Sequence, residues 1–116
     1  MPHSHILPPE RLDKVIHEPG RLGIVASLAA RGAMSFNELK DALGMTDGNL
    51  STHAKTLQET GYIGVEKTFV GRKPRTTMTL TPAGQAAFRR YVDYLERIVT
   101  PAEKRPDDKK GEPHGR

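Results

Sequence analysis

The spacing of hydrophobic residues in this chain changes at about residue 62. Before that point they recur three or four positions apart, which is the period of an amphipathic helix. This spacing predicts four helices, over residues 10–16, 19–30, 36–43 and 47–59. After residue 62 the chain is rich in aromatic and β-branched residues, which favour strands.

Capping residues mark where the third and fourth helices begin and end. Ser35, followed three residues later by Glu38, has the pattern of a capping box. Gly44 is suited to end that helix, and Thr46 is suited to cap the next one. Two short helices are therefore predicted to meet at a tight turn, which is the arrangement of a helix-turn-helix.

The second part of the chain predicts a β-hairpin. Strands are expected over residues 62–70 and 76–80, joined by a loop over 71–75, with a short additional strand at 33–34. A last helix, running to about Val99, is predicted from Thr81 at its N-cap and Pro82 at its first position.

These elements predict a mainly α, α+β fold with a β-hairpin. Two short helices with a tight turn, followed by a basic hairpin, are the parts of a winged helix-turn-helix, in which the second helix enters the major groove of DNA. The expected architecture is a three-helix core with a hairpin wing, and the terminal helices are left for dimerisation.

Composition limits the size and class of the protein. The chain has 116 residues, enough for one domain, and its ends are rich in Pro, Gly and charge. We expect a flexible segment over residues 1–9, a folded domain over 10–99 and a disordered charged tail over 100–116. The chain has no cysteine, which excludes disulfides, thiolate metal sites and a cysteine nucleophile. It has no long apolar run, so we expect a soluble cytoplasmic protein without membrane contact.

The predicted helix over 47–59 has two different faces. Leu50, Ala54 and Leu57 share one face, which we expect to be buried. The other face is small, polar and mostly uncharged, and such side chains suit close approach to base edges. The residues predicted to read or bracket bases are Gly48, Asn49, Ser51, Thr52, Lys55 and Thr56. The alternative is that they form an ordinary solvated surface.

Positive charge is concentrated in the hairpin. The chain as a whole has a net charge of +4, and the segment over 61–81 contains four basic residues against the single acid Glu66. The cations predicted to bind phosphates or a narrow minor groove are Lys67, Arg72, Lys73 and Arg75. A charged hairpin can also serve only to protect the edge of a sheet.

Sequence patterns for catalysis are missing. The chain contains no P-loop, no GxGxxG and no HExxH, and its five histidines are dispersed. We therefore expect a protein that is not an enzyme, with no cofactor and no metal site. His53 lies beside the buried face of its helix and is expected to pack or hydrogen-bond.

The combined order of several short motifs resembles small bacterial winged-helix transcription regulators of the MarR and ArsR type. The resemblance covers about residues 20–99, and its motifs are SFNEL at 35–39, NLSTH at 49–53, LQETGYI at 57–63 and LTPAG at 80–84. It implies a homodimer that binds a roughly palindromic operator in double-stranded DNA. The cysteine metal sites of many ArsR-type sensors have no counterpart here.

A dimer is also suggested by the apolar stripe of the last helix, which has the 3-4-3 spacing of a short coiled coil. The predicted interface comprises Leu12, Val15, Ile16, Phe88, Tyr91, Leu95 and Ile98. The alternative is packing of these residues within one chain, and both can hold together.

Two other functions stay open at this point. The first is a winged-helix protein–protein interaction module that binds an acidic protein surface, for which an exposed apolar patch near the helix would be the sign. The second is a regulator with a ligand pocket lined by Tyr91 and Tyr94, although we interpret both as packing residues.

Overall fold

The computed structural model describes residues 12–100 of the chain. Four helices and one three-stranded antiparallel sheet confirm the winged helix-turn-helix architecture predicted from the sequence. In chain order the elements are α1 Pro19–Arg31, β1 Met34–Ser35, α2 Phe36–Leu43, α3 Asp47–Thr60, β2 Ile63–Val70, β3 Lys73–Leu80 and α4 Pro82–Val99. The segment over 1–9, and the tail apart from residue 100, lie outside the described residues.

The prediction of a helix over residues 10–16 is wrong for residues 12–16, the part of that range that the structure describes. Residues 12–18 form turns and bends. The Asp13 carboxylate accepts hydrogen bonds from the backbone N–H groups of Val15 and Ile16, at 2.9 and 3.1 Å. A side chain that binds nearby backbone in this way competes with helix formation. Glu18 is extended, as expected of a residue that precedes proline, and its side chain caps α1.

The hairpin is longer than the sequence predicted. β2 and β3 pair from Ile63 and Leu80 down to Val70 and Lys73, which leaves a turn of two residues at 71–72. The predicted loop over 71–75 is therefore wrong at residues 73–75. Cross-strand pairing extends the strand through these residues, although lysine and proline are depleted in strands. The short strand was predicted one residue early; β1 pairs Met34 with Met78.

The main core lies where α1, α2, α3 and the base of the hairpin meet. Its members are nearly all aliphatic, and each is at most 6% exposed: Ile24, Val25, Leu28, Met34, Leu39, Leu50, Ala54, Leu57, Ile63 and Met78. Burial of this apolar surface holds α3 against the scaffold by one face only. The polar face of α3 is therefore left outside the core.

A second, smaller core fixes α4. Ile16, Ala87 and Tyr91 are 0%, 1% and 4% exposed and pack together. Ile16 and Tyr91 belong to the predicted dimer interface, but their burial within one chain confirms the alternative of intramolecular packing for these two residues. Leu12, Phe88 and Leu95 are partly buried against the same cluster, and Val15 packs against the main core.

The start of α4 approaches the backbone between α3 and β2 very closely. The Thr81 backbone N–H donates a hydrogen bond to the carbonyl of Tyr62 at 3.0 Å, and the Thr81 hydroxyl donates to the carbonyl of Gly61 at 2.6 Å. A Cβ atom on Gly84 would lie 2.1 Å from the carbonyl oxygen of Tyr62. Only glycine fits this position without movement of the backbone.

We expect Gly84→Ala to reduce the free energy of unfolding by about 1–3 kcal/mol, because overpacking against backbone outweighs the helix preference of alanine. Gly48→Ala is the matched control, since a Cβ at this helical glycine meets no atom within 4 Å. The control should be as stable as the wild type or slightly more stable. Urea unfolding measures both variants, and equal stability of Gly84→Ala and the wild type would contradict the close approach.

Candidate nucleic-acid interface

The helix-turn-helix of α2 and α3 begins and turns at the capping residues that the sequence indicated. The Ser35 hydroxyl accepts from the Glu38 N–H at 3.0 Å, and the Glu38 carboxylate accepts from the Ser35 N–H at 2.8 Å. Gly44 ends α2 with φ of 65°, in the left-handed region that glycine adopts without strain. An ion pair of 2.9 Å between Lys40 and Asp47 joins the two helices across this turn.

The faces of α3 are divided as predicted. Leu50 and Leu57 are fully buried and Ala54 is 6% exposed, whereas five of the six predicted base-reading residues are exposed: Gly48, Asn49, Ser51, Thr52 and Lys55. Thr56 is half-buried, and its hydroxyl donates to the Thr52 carbonyl at 3.3 Å. The helix therefore presents a polar surface of short side chains, and Thr56 stands at its margin.

The four predicted wing cations are all exposed. Arg75 Nη2 lies 3.7 Å from Glu38 Oε1, so this guanidinium also links the wing to α2. Within residues 12–100, Lys67, Arg72 and Lys73 form no ion pair with an acidic side chain. These three cations are consequently available to an anionic partner.

A groove of about 350 Å³ separates α3 from the wing. Ser51 and Lys55 line it from α3, and Lys67 and Thr76 line it from the hairpin. The structure thus brings predicted helix residues and one predicted wing residue to a single concave surface. Hydroxyl and ammonium groups converge there, and such groups bind phosphate and sugar oxygens of nucleic acids.

The wing also carries an exposed apolar end that sequence reasoning missed. Phe69 is 71% exposed and Val70 is 60% exposed, although both belong to a strand that was predicted from its apolar content. No local signal in the sequence separates these two residues from strand residues nearer the core, because only the length of the paired hairpin reveals their exposure. A hairpin that projects from a small domain carries its outer residues beyond the reach of the core.

Side chains from the first turn of α1 and from the segment before it hold α3 in place. His53 Nδ1 lies 3.7 Å from Glu18 Oε1 and 3.4 Å from Arg21 Nη1, which confirms its interpretation as a hydrogen-bonding residue on the flank of α3. Just beyond α3, the Tyr62 hydroxyl donates a hydrogen bond to the Asp13 carboxylate. These contacts fix the orientation of α3 relative to α1.

Residues 12–100 contain no group of three or more His, Cys, Asp or Glu side chains placed to hold a metal ion. None of the helices in that range has both the length and the apolar character that a membrane span needs.

Comparison with known proteins places most of the chain in one family. The family model of a winged helix DNA-binding domain matches residues 21–99. An uncharacterized protein of Methanocaldococcus jannaschii is 34% identical over 79 residues, which are 68% of this chain and 86% of that protein.

Two solved structures resemble the fold and share sequence with it. A transcriptional regulator homologue from Pyrococcus horikoshii has a TM-score of 0.71 at 29% identity, covering 75% of this chain and 86% of that one. A transcriptional regulator of the MarR family from Enterococcus faecalis has a TM-score of 0.64 at 25% identity, covering 72% and 74%. The match to the family model includes the helix-turn-helix and the wing, since both lie within residues 21–99.

The contact between Tyr62 and Asp13 makes the stability of the fold sensitive to alkaline pH. The hydrogen bond to Asp13, partial burial and the charge of that carboxylate raise the pKa of Tyr62 from 10.0 to about 12. Because the pKa is raised in the folded state, the stabilisation is complete below pH 10 and is lost as the pH rises towards 12. We expect Tyr62→Phe to reduce stability by about 1 kcal/mol at pH 8.

Urea unfolding of the wild type and Tyr62→Phe between pH 8 and about 11.5 measures this contact. The difference between the two proteins should shrink above pH 10, while titration of the other tyrosines affects both proteins equally. A difference that stays constant across this range would show that the Tyr62 hydroxyl does not titrate as the contact requires.

Proposed function

Because this chain belongs to the winged helix DNA-binding domain family and is a DNA-binding transcriptional regulator, we propose that it recognises one particular double-stranded DNA sequence as a homodimer. In this proposal α3 enters the major groove and the wing lies along the flanking backbone or in the minor groove. The residues proposed to read or bracket bases are Gly48, Asn49, Ser51, Thr52, Lys55 and Thr56, and those proposed to bind backbone are Lys67, Arg72, Lys73 and Arg75.

One observation carries the proposal. The exposed face of α3 is polar, most of its side chains are short, and it lies across a groove from a cationic wing. Short side chains let the helix axis approach the base edges closely. Asn49 is suited to adenine, and the hydroxyls of Ser51 and Thr52 can donate to or accept from several bases. The adjacent cations supply the affinity for phosphate that base contacts alone do not provide.

The homodimer is proposed to form through the C-terminal half of α4. Val92, Ile98 and Val99 are 37%, 46% and 71% exposed, and Leu95 is only half-buried, so an apolar ridge remains outside the intramolecular core. A symmetric pair of such helices would bury this ridge. Two copies of α3 would then read half-sites about one helical turn apart, in a palindromic operator.

A second candidate function has one observation in its favour. Phe69 and Val70 are exposed apolar side chains at the end of the wing, such as a protein–protein interaction module would use. The surrounding surface is cationic, however, and the face of α3 itself is polar. Failure of the protein to bind any duplex, even at low salt, would favour this candidate over DNA recognition.

Selection of bound duplexes from a random double-stranded pool tests the proposed function. We expect enrichment of a palindrome whose halves are centred about one helical turn apart. Binding that depends on salt but yields no enriched sequence would contradict sequence-specific recognition, because phosphate contacts alone carry no base preference.

Removal of two wing cations, by Arg72→Ala with Lys73→Ala, should weaken binding to all duplexes by a similar factor. It should also reduce the dependence of log affinity on log salt concentration by about one unit for each phosphate that the variant no longer neutralises. Fluorescence anisotropy titrations of the selected duplex and of a scrambled duplex, at several salt concentrations, measure both effects. An unchanged salt slope would contradict the proposal that Arg72 and Lys73 contact DNA phosphates.

Two comparison variants separate charge from base reading. Arg89→Ala with Arg90→Ala removes an adjacent pair of exposed cations from α4, and this pair should leave the salt slope unchanged. Thr52→Ala should leave the slope unchanged as well but change which bases are selected, since it removes a hydroxyl and no charge. An identical selected sequence for Thr52→Ala and the wild type would exclude Thr52 as a reading residue.

Ile98→Asp should dissociate the proposed homodimer, because it places a charge in the apolar ridge of α4. The folded chain should keep its stability, since Ile98 is 46% exposed. Sedimentation equilibrium of the wild type and the variant measures the mass, and Ala86→Asp, at an exposed position towards the other end of α4, is the control. A wild-type monomer, or an Ile98→Asp dimer, would contradict this interface.

A further inference from the structure

The wing extends well beyond the part of the sheet that the core supports. Ile63 and Met78 are 2% exposed, whereas every residue from 66 to 75 is exposed. Phe69 lies six positions along β2 from Ile63, which corresponds to about 20 Å at the rise of a strand. Folding of the domain therefore does not account for an aromatic ring at this place.

Phe69 shares its face of the hairpin with the groove beside α3. Alternation along β2 places Val65, Lys67 and Phe69 on one side of the strand. Val65 and Lys67 line the groove between α3 and the wing. The aromatic ring thus continues the surface that faces the same partner as α3.

Pro74 is the cross-strand partner of Phe69. Proline has no N–H, so this pair cannot be one that exchanges two hydrogen bonds, and side chains lie closest in the non-hydrogen-bonded pairs. Pro74 is exposed as well. The two rings together form an apolar edge at the end of the wing. This edge is rigid, because ring side chains have fewer conformations than flexible aliphatic ones.

The charge around this apolar edge indicates what covers it. Lys67 lies two positions before Phe69 on the same face of β2, while Arg72 in the turn and Lys73 come just before Pro74. Within the described chain none of these cations is paired with an acid. An apolar edge beside unpaired cations is complementary to a partner surface on which anions flank flat apolar rings. A DNA duplex has this character, with phosphates around stacked bases.

We propose that Phe69 and Pro74 act as a wedge that enters the minor groove at a base step and kinks the duplex. This inference rests on the proposed function, in that the protein must bind duplex DNA, and it adds an activity: the protein bends its site. Phe and Pro are among the side chains that proteins insert between base steps. The wedge should favour pyrimidine–purine steps under the wing, because these steps unstack most easily.

The test compares Phe69→Ala with two matched variants on the selected duplex. Energy transfer between dyes at the two duplex ends measures the bend, and anisotropy measures the affinity. The wild type should bend the duplex by between about 20° and 90°. Phe69→Ala should still bind, but about tenfold more weakly or worse, and should leave the duplex nearly straight.

The matched variants distinguish a wedge from a general effect on the wing. Phe69→Leu should keep most of the bend, because leucine is also a wedge residue. Val70→Ala removes apolar surface from the opposite face of the same strand and should leave the bend unchanged. Urea unfolding should give equal stability for all three variants, since Phe69 and Val70 lie outside the core.

Each other outcome has a distinct meaning. A wild type that binds the duplex without bending it would overturn the wedge and leave the proposed function intact. An equal bend of the duplex by Phe69→Ala and by the wild type would also overturn the wedge and leave the proposed function intact. If Phe69→Ala instead altered the sedimenting mass, a second copy of the chain would be the occupant of this edge, and the wedge would be wrong. Absence of duplex binding by the wild type would refute the proposed function itself.

Discussion

The burial of one face of α3 is the constraint on which the rest of this structure depends. Leu50 and Leu57 are completely buried and Ala54 nearly so. Since these three positions define one side of a helix with 3.6 residues per turn, the residues on the opposite side, such as Thr52 and Lys55, must lie outside. Burial of these apolar side chains by the hydrophobic effect therefore determines which polar side chains of α3 are exposed.

Burial alone would leave α3 free to shift along its axis, and polar contacts at both ends oppose this. At the first turn, Thr46 caps the helix and Asp47 is paired with Lys40 of α2. At the far end, Tyr62 binds Asp13, and its carbonyl accepts from Thr81. These contacts fix both ends of α3, and a helix that is to read bases, as we propose for α3, must be held in position to within a fraction of a base-pair step.

Local signals allowed much of the fold to be predicted from the sequence. The capping box at Ser35 and the caps at Thr46 and Thr81 depend on neighbouring residues only, and all three formed as expected. The polar face of α3 was predictable for the same reason, because helical period and residue type sufficed.

The errors came from interactions that are distant in the sequence or compete with local preference. Asp13 bound the backbone of the next residues and replaced a helix by a turn. Pairing with β2 made a strand of a segment containing Pro74. Periodicity predicted an apolar stripe on α4 but could not assign Tyr91 to the chain's own core. Strand propensity placed Phe69 on a strand, and only the length of the paired hairpin revealed its exposure.

The position of the DNA on this molecule can be measured directly by titrating ¹⁵N-labelled protein with the selected duplex and following backbone amide chemical shifts. If the outer face of α3 and the wing form the interface, the largest changes will map to residues 48–56 and 67–75, with smaller changes at the turn between α2 and α3. Changes centred on α1 or on the groove beside α4, with α3 and the wing unaffected, would contradict the proposal that this fold meets DNA through α3 and the wing.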